Sequence, residues 1–197
     1  MENLNQLADD VLIGLYSKGD TRAFETILKR YQDKLYSYIS FVVRNRDLAD
    51  DIFQETFVKA ITTLQKGGYT CTGKFGAWLT RIAHNLIIDY FRQQSVDNTV
   101  SNDAVEYDLL NDARLSDSNV EDAMINRQTL ADVRRLVDML PDNQREVVFM
   151  RYYQDLSFKE IADITGVSIN TALGRMRYAL INIRRMAVEK DIALNMI

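Results

Sequence analysis

Four arginines near the carboxyl end of the chain fall on one side of a segment with helical periodicity. They are Arg175, Arg177, Arg185 and, at the edge of that side, Arg184, and no aspartate or glutamate occurs between residues 164 and 188. Arginine carries a planar fork of donors that matches the oxygens of a phosphate. If each arginine neutralised one DNA phosphate, log K would fall against log salt with a slope of about −3.6. The spacing therefore predicts a salt-sensitive contact with DNA.

The elements that must position these arginines are predicted to form a helix-turn-helix. Ser157 and Glu160 have the spacing of a capping box, so a first helix begins there and ends at Thr165. Gly166 suits the positive φ of a tight turn, and Ser168 offers an N-cap oxygen to a second helix. Apolar residues at i, i+3 and i+4 spacing predict the buried face of that second helix: Ile169, Ala172, Met176, Ala179, Leu180 and Ile183.

The opposite face of the second helix is predicted to meet DNA. Besides the arginines it carries Asn170, Thr171, Gly174 and Tyr178. Glycine inside a helix costs roughly 1 kcal/mol relative to alanine, so we interpret Gly174 as a place where a DNA backbone comes close. The alternative is an ordinary amphipathic helix with solvated charges. The capping box, the turn glycine, the second cap and the acid-free face together favour the DNA-binding motif.

A second candidate nucleic-acid surface lies on a helix predicted from Phe75 to Gln93. Its outer side is a row of cations and an amide without a carboxylate, which would suit phosphate: Lys74, Arg81, Asn85, Ile88 and Arg92. Its predicted buried face comprises Phe75, Trp78, Leu79, Ile82, Leu86 and Tyr90. The preceding residues 66–74 contain three glycines and predict a pliable loop with an exposed Tyr69, which could stack on an unpaired base. The alternative is a flexible connector with a surface tyrosine.

Two more helices are predicted in this half, from Thr21 to about Arg44 and from Asp47 to about Leu64. Gly19 and Asp20 act as the stop and the cap ahead of the first of them. The outer side of the other shows a polar patch that continues into aliphatic residues: Asp47, Asp50, Asp51, Gln54, Val58 and Ile61. Such a surface is typical of partner binding, and the alternative is a merely solvated face.

The composition indicates an all-helical, globular protein. The 197 residues are 47% hydrophobic, with eight glycines, one proline and little of the alternation typical of strands. No apolar run reaches the ~18 residues that span a bilayer, and the start lacks a signal sequence, so we expect a cytoplasmic protein without direct membrane insertion. One cysteine, Cys71, and one histidine, His84, disfavour a metal site or a catalytic triad. We expect no cofactor, no metal and no catalytic residue.

The charge distribution predicts two domains joined by an acidic linker. The net charge is −4, but residues 93–125 hold eight acidic residues and one basic one, whereas the flanking parts are close to neutral or slightly basic. This segment is rich in Ser, Asn and Asp without helical periodicity, which is typical of a flexible connector. We place the domains at residues 1–94 and 123–190 and the linker at 95–122.

Three segments, in order, resemble those of the sigma-70 family of bacterial RNA polymerase sigma factors. Residues 47–60 read DLADDIFQETFVKA and resemble the helix that binds core polymerase. Residues 75–92 read FGAWLTRIAHNLIIDYFR and resemble the helix that recognises the minus-10 promoter element. Residues 140–180 resemble the minus-35-binding domain, a helix-turn-helix. Two domains with a short linker between them are similar to the extracytoplasmic-function (ECF) subgroup, and the resemblance covers nearly all of residues 5–187.

The resemblance implies a sigma factor that binds core RNA polymerase and directs promoter-specific initiation of transcription. By position, it implies contacts with core polymerase through Asp47, Asp50, Asp51, Gln54 and Glu55. It implies minus-10 contacts through Tyr69, which would receive a flipped base, and through Lys74, Arg81, Asn85 and Arg92. It implies minus-35 base reading by Asn170, Thr171 and Arg175 and phosphate contacts by Arg177, Arg184 and Arg185. The subgroup implies an anti-sigma factor as a further partner, and the acidic linker would thread polymerase channels that nucleic acid otherwise occupies.

Three positions depart from the family pattern. His84 stands where the family commonly carries an arginine, so the minus-10 helix would lack a cation at neutral pH. Leu173 and Gly174 occupy positions that are usually polar or basic, which implies a different minus-35 sequence.

A stand-alone helix-turn-helix regulator is the alternative, although it gives no purpose to the Asp-rich strip or the Tyr69 loop. An all-helical hydrolase or metal enzyme would need a convergent acid-base cluster, and the chain offers only one histidine.

Overall fold

The computed structural model describes residues 4–97, 132–190 and 192, which divide into two compact units. The first unit contains a 3-10 turn at Leu4–Gln6 and four helices, namely α1 (Asp9–Ser17), α2 (Thr21–Val43), α3 (Arg46–Gln65) and α4 (Phe75–Asp97). The second contains helical residues 132–138, here α5, then α6 (Asp142–Tyr152), α7 (Phe158–Thr165) and α8 (Ile169–Glu189). Within these ranges there is no strand, so the all-helical prediction is confirmed.

The helix ends in the first unit follow the caps that the sequence offers. The Asp20 side chain accepts the backbone N–H of Arg22 at 3.1 Å and opens α2. Arg44 ends α2 in the left-handed region, and Asn45 then caps α3 by accepting from Leu48 N at 3.0 Å. Each such cap contributes roughly 1 kcal/mol to helix stability. The order of two long helices with a tight connection is therefore encoded locally.

Helix α2 is the centre of the first unit, because α1, α3 and α4 all pack against it. Its buried residues include Ile27, Leu35 and Ile39. Gly76 at the start of α4 permits this packing, since an added Cβ would lie 2.8 Å from Cε1 of Tyr31 on α2. Sequence periodicity gave no prediction for α1, which is only nine residues long and buries Leu12 and Ile13.

One prediction about α4 is wrong. Tyr90 was predicted to be buried, but it lies 37% exposed. His84 on the same helix is buried, and its Nδ1 lies 3.1 Å from the hydroxyl of the fully buried Tyr38 on α2. The imidazole therefore joins α4 to α2 within the core and does not face a ligand.

The second unit is built from α6, α7 and α8, which pack against one another. The capping box is confirmed, since Ser157 accepts from Glu160 N and the Glu160 side chain accepts from Ser157 N. Gly166 ends α7 with φ 67°, and Ser168 accepts from Thr171 N at 3.0 Å to open α8. The helix-turn-helix prediction is therefore correct in its bounds.

The buried face of α8 differs in part from the prediction. Ala172, Met176 and Ala179 are buried as predicted, whereas Ile169 and Leu180 are 45% and 37% exposed. The contact with α6 and α7 is narrower than the apolar stripe, so its margin faces outward.

Helix α4 overlaps the start of the segment that the sequence analysis assigns to the acidic linker. Helix α4 continues to Asp97, three residues into the segment assigned to the linker at 95–122. The rest of that segment, and the boundary at 123, lie outside the described residues. In the part of the chain that the structure describes, no helix is long and apolar enough to cross a bilayer.

Candidate functional site

The outer face of α8 presents the polar residues that were predicted to meet DNA. Asn170, Thr171, Arg177 and Arg184 are exposed, and Arg175 is half-buried. Arg185, the sixth minus-35 candidate, is exposed on the same helix. The opposite face of that helix packs in the core of the second unit.

Arg185 differs from Arg184 in its surroundings. Its Nε lies 4.0 Å from Oε1 of Glu189, the first acid after the acid-free stretch, and both side chains are well exposed. An exposed pair of this kind contributes little to stability. It does place a negative charge beside one of the proposed phosphate contacts, which the arginine count alone did not reveal.

The start of α8 is ordered by side-chain hydrogen bonds. The hydroxyls of Ser168 and Thr171 lie 2.9 Å apart, so the Thr171 hydroxyl is already engaged with the cap. Asn170 is exposed beside it. Of the two polar residues in the first turn, Asn170 is the one whose side chain makes no hydrogen bond to the cap, so it can approach a base edge directly.

Apolar residues share the exposed face of α8 with the arginines. Tyr178 is 62% exposed, and Leu173 and Ile181 are 43% and 45% exposed. Sequence reasoning did not single out Ile181, although its position three residues after Tyr178 places the two on one side of the helix. Such residues can contact thymine methyl groups or sugars beside the phosphates that arginines bind.

The outer row of α4 is exposed as the sequence predicted. Lys74, Arg81, Asn85 and Arg92 are all exposed, and Ile88 is 42% exposed. One correction applies, because Asp89 lies beside the row and its Oδ1 is 3.6 Å from Nη1 of Arg92. The row is therefore most clearly cationic around Arg81 and less so at its carboxyl end.

Tyr69 is not the exposed aromatic that the loop composition suggested. Its ring packs 4.8 Å from that of Trp78 and 5.6 Å from that of Phe75, measured between centroids, and its hydroxyl oxygen is buried. Burial, followed by the negative charge of Asp10, raises the pKa of Tyr69. The loop folds its aromatic residue onto α4, because an aromatic cluster buries more apolar surface than an exposed ring does.

The polar patch on α3 is only partly available to a partner. Asp47, Asp51 and Gln54 are exposed. Asp50 accepts the hydroxyl of Tyr36 at 2.8 Å, and Glu55 lies 3.3 Å from Lys59 Nζ. The patch continues into Val58, which is 61% exposed, so the predicted sequence of acids followed by an aliphatic residue is present on one side of the helix.

No group of three potential ligands that could hold a metal ion occurs among the residues that the structure describes. The chemistry available at these surfaces is charge, hydrogen bonding and stacking. They suit binding and positioning of a polymer.

Comparison with known proteins identifies the family. The Sigma-70 region 2 family matches residues 27–96, and the Sigma-70, region 4 family matches residues 130–177. The ECF RNA polymerase sigma-E factor of Escherichia coli (strain K12) is 33% identical over 174 residues, which cover 87% of this chain and 90% of that protein. The chain belongs to the ECF subgroup of the sigma-70 family. ECF RNA polymerase sigma factor SigW of Bacillus subtilis (strain 168) is 30% identical over 162 residues, covering 81% and 86% of the two chains.

Solved structures support the sigma-factor fold. The sigma factor RpoE of Bartonella quintana, in complex with the anti-sigma factor NepR, aligns with a TM-score of 0.64 at 21% identity, covering 84% of this chain and 96% of that one. CnrH in complex with the cytosolic domain of CnrY aligns with a TM-score of 0.61 at 24% identity, covering 93% and 99%. As a sigma factor, the chain binds core RNA polymerase and promoter DNA and directs promoter-specific initiation of transcription.

Membership of this family decides between the alternatives raised by the sequence. A stand-alone helix-turn-helix regulator is not favoured, because region 2 accounts for the helices of the first unit as well. Sigma factors are not enzymes, so the hydrolase or metal-enzyme alternative is not favoured either.

Proposed function

We propose that the three surfaces divide the work of the sigma factor: α8 reads the minus-35 element, α4 with residues 66–74 reads and holds the minus-10 element, and α3 binds core polymerase. The observation that carries this proposal is the presence of one exposed cationic helix face in each unit, each opposite a buried face. Two separate DNA-binding faces on one chain suit a promoter with two separate elements. The alternative of a single DNA contact leaves the α4 row unused.

On α8 the proposed roles follow exposure and position. Asn170, Thr171 and Arg175 lie in the first two turns, where recognition helices normally meet base edges. Arg177, Arg184 and Arg185 would bind phosphates, which fix the register on DNA without reading sequence. Arg185 contributes least in this scheme, because Glu189 competes for its guanidinium.

On α4 we propose that Arg81 and Asn85 hold the opened strand, with Lys74 and Arg92 at the two ends of the row. The packing of Tyr69 changes the proposed role of the loop. With its ring against Phe75 and Trp78, Tyr69 would support the loop from below, and a flipped base would meet the outer side of residues 66–74. Unstacking one base costs a few kcal/mol, which a preformed surface offsets better than a mobile one.

On α3 the proposed contact with core polymerase centres on Asp47, Asp51 and Gln54. These residues are exposed, and their side chains make no ion pair or hydrogen bond within the described residues, whereas Asp50 and Glu55 are engaged with Tyr36 and Lys59. Exposed Val58 adds apolar area at the end of the patch. Polar contacts around an apolar anchor are the usual anatomy of a protein interface.

Further proposals follow from the relatives. The RpoE structure holds the anti-sigma factor NepR, and the CnrH structure holds the cytosolic domain of CnrY. We propose that an anti-sigma factor binds this chain as well. We propose that the chain acts in the cytoplasm, where bacterial polymerase transcribes, and that it needs no catalytic residue or cofactor of its own.

The experiment that tests the division of work is transcription in vitro with core polymerase that lacks a sigma subunit. Adding the chain to fragmented genomic DNA of its source should give start sites that share two sequence elements. Replacing Arg81 and Asn85 by Ala should abolish opening near the start site, whereas Arg184→Ala should weaken promoter binding upstream. Lys29→Ala, at an exposed lysine of α2, is the matched control. Loss of both functions in every variant, or none in any, would overturn the proposal.

A further inference from the structure

The loop at residues 66–74 is held by a residue that is distant in the sequence. The backbone N–H of Gly73 donates to Oδ2 of Asp10 at 3.0 Å, across 63 residues of chain. Asp10 lies in the first turn of α1. Gly73 has φ 70°, in the left-handed region that residues with a Cβ rarely adopt. A carboxylate on α1 therefore fixes an unusual backbone conformation immediately before α4 begins.

Helix α1 is itself bonded to α2 next to this contact. The Asp9 carboxylate accepts from Nη1 of Arg30 and from the hydroxyl of Tyr31, both on α2. Nη2 of Arg30 also donates to the backbone oxygens of Asn5 and Leu7, at 3.2 and 3.0 Å. Hydrogen bonds with an ionised partner are about twice as strong as neutral ones. The start of α1 is thus a rigid support for the loop.

The Asp10 carboxylate also acts on the middle of the loop, at Tyr69. Its negative charge is the second cause, after burial, that raises the pKa of Tyr69. Tyr69 packs on Phe75 and Trp78, so the loop is fixed by its aromatic ring in the middle and by Gly73 near its end. The exposed loop residues between these points, 70–72, are held on both sides.

The carboxylate is not explained by the stability of the fold alone. Oδ1 of Asp10 is buried, and within the described ranges it has no hydrogen-bond partner. A buried acceptor without a partner lowers stability. The side chain at this position therefore lowers stability through Oδ1 while it holds Gly73 through Oδ2.

We propose that Asp10 is a positioning residue for minus-10 recognition, which sets the conformation of residues 66–74 through its hydrogen bond to Gly73. The inference rests on the proposed role of this loop and α4 at the minus-10 element. Asp10 acts through Gly73 and does not touch DNA. Because the loop is ordered before DNA arrives, less conformational entropy is lost when it receives a base.

The test uses the full chain with core polymerase on a promoter found by mapping transcript starts. Asp10→Ala removes the bond, and Asp10→Asn keeps an oxygen that can accept from Gly73. Asp20→Ala is the matched control, because it also removes a carboxylate that accepts a backbone N–H in the first unit, from Arg22 at 3.1 Å. Permanganate reactivity of unpaired thymines measures opening, and a set of promoters with each base at the flipped position measures preference.

We expect Asp10→Ala to lower the equilibrium constant for promoter opening about tenfold, the effect of losing one hydrogen bond to a charged group. The same substitution should reduce the preference among bases at the flipped position. Asp10→Asn should retain most of both. Core binding and minus-35 duplex binding should not change in either variant. Asp20→Ala should lower the melting temperature while base preference stays as in the unchanged chain.

Equal opening and base preference in Asp10→Ala and Asp20→Ala would overturn the inference, and so would an Asn variant as defective as the Ala variant. Should Asp10→Ala fail to fold, Gly73→Ala replaces it: the substitution strains only the loop backbone, because the added methyl meets no heavy atom within 4 Å. Unchanged base preference there would also overturn the inference.

If Arg81→Ala and Asn85→Ala leave opening intact, the proposed minus-10 role itself fails. If they reduce opening and Asp10→Ala does not, only the inference about Asp10 fails.

Discussion

Arg184 and Arg185 are neighbours in the chain, but the structure shows a carboxylate beside only one of them. Glu189 lies 4.0 Å from Arg185, and no ion pair to Arg184 occurs within the described ranges. We expect Arg184→Ala to weaken binding to all DNA about equally and to lower the salt slope by about one unit. Arg185→Ala should have a smaller effect, because Glu189 already offsets part of its charge.

Arg175 gives the matching test of sequence reading on the same helix. Arg175→Ala should relax the preference for the minus-35 sequence, at a cost of about 1–3 kcal/mol on the preferred site, with little loss on unrelated DNA. Titration of labelled duplexes over a range of salt concentrations measures both effects. Identical profiles for Arg175→Ala and Arg184→Ala would contradict the division into base and phosphate contacts.

On α3, exposure separates residues that the sequence pattern grouped together. Changing both Asp51 and Gln54 to Ala should lower affinity for core polymerase by about tenfold or more, since the centre of an interface holds the few residues whose truncation costs more than about 1 kcal/mol each. Binding to an isolated minus-35 duplex should be unchanged. Asp33→Ala, at an exposed acid of α2, is the control. A parallel loss of duplex binding would mean that the substitutions disturb the fold rather than the interface.

Gly174 is an unfavourable residue for the interior of a helix. It lies within α8, and a methyl group there would meet no neighbouring heavy atom within 4 Å among the described residues. Gly174→Ala should therefore stabilise the second unit by roughly 1 kcal/mol, the difference in helix propensity. If the glycine admits a DNA backbone, minus-35 binding should fall in the same variant. Urea denaturation and duplex titration measure the two effects, and a gain in both stability and affinity would contradict the close approach.

The ends of the helices in this chain depend on nearby residues, whereas their buried faces depend on which helix packs against them. The capping box at Ser157, the turn at Gly166 and the cap at Ser168 each depend on atoms within four residues of one another. The faces depend on which helix packs opposite. Ile169 and Leu180 belong to the apolar stripe of α8 and are nevertheless exposed, because α6 and α7 cover only part of it.

At the scale of the whole molecule, the two units have separate sets of internal contacts. In the free chain we expect the substitution at Asp51 to leave duplex binding unchanged and Arg184→Ala to leave core binding unchanged. Combined, their effects on each separate assay should add within about 0.5 kcal/mol, as expected of sites that share no partner. A coupling energy larger than this in the double-mutant cycle would show that the units communicate in the free chain.

The sequence alone was enough for α2, α3, α4, the helix-turn-helix with its capping residues and the exposed cationic rows, because caps and periodicity are interactions between residues three or four positions apart. The remaining contacts join residues that are far apart in the chain and depend on how the helices pack. His84 meets Tyr38 across 46 residues, and Asp10 meets Gly73 across 63. Tyr69 lies in a loop, where no periodicity indicates burial. Its contact with Trp78 on α4 depends on the fold of that loop. Periodicity tells which side of a helix is apolar, but the width of the contact and the identity of the neighbour depend on how the helices pack.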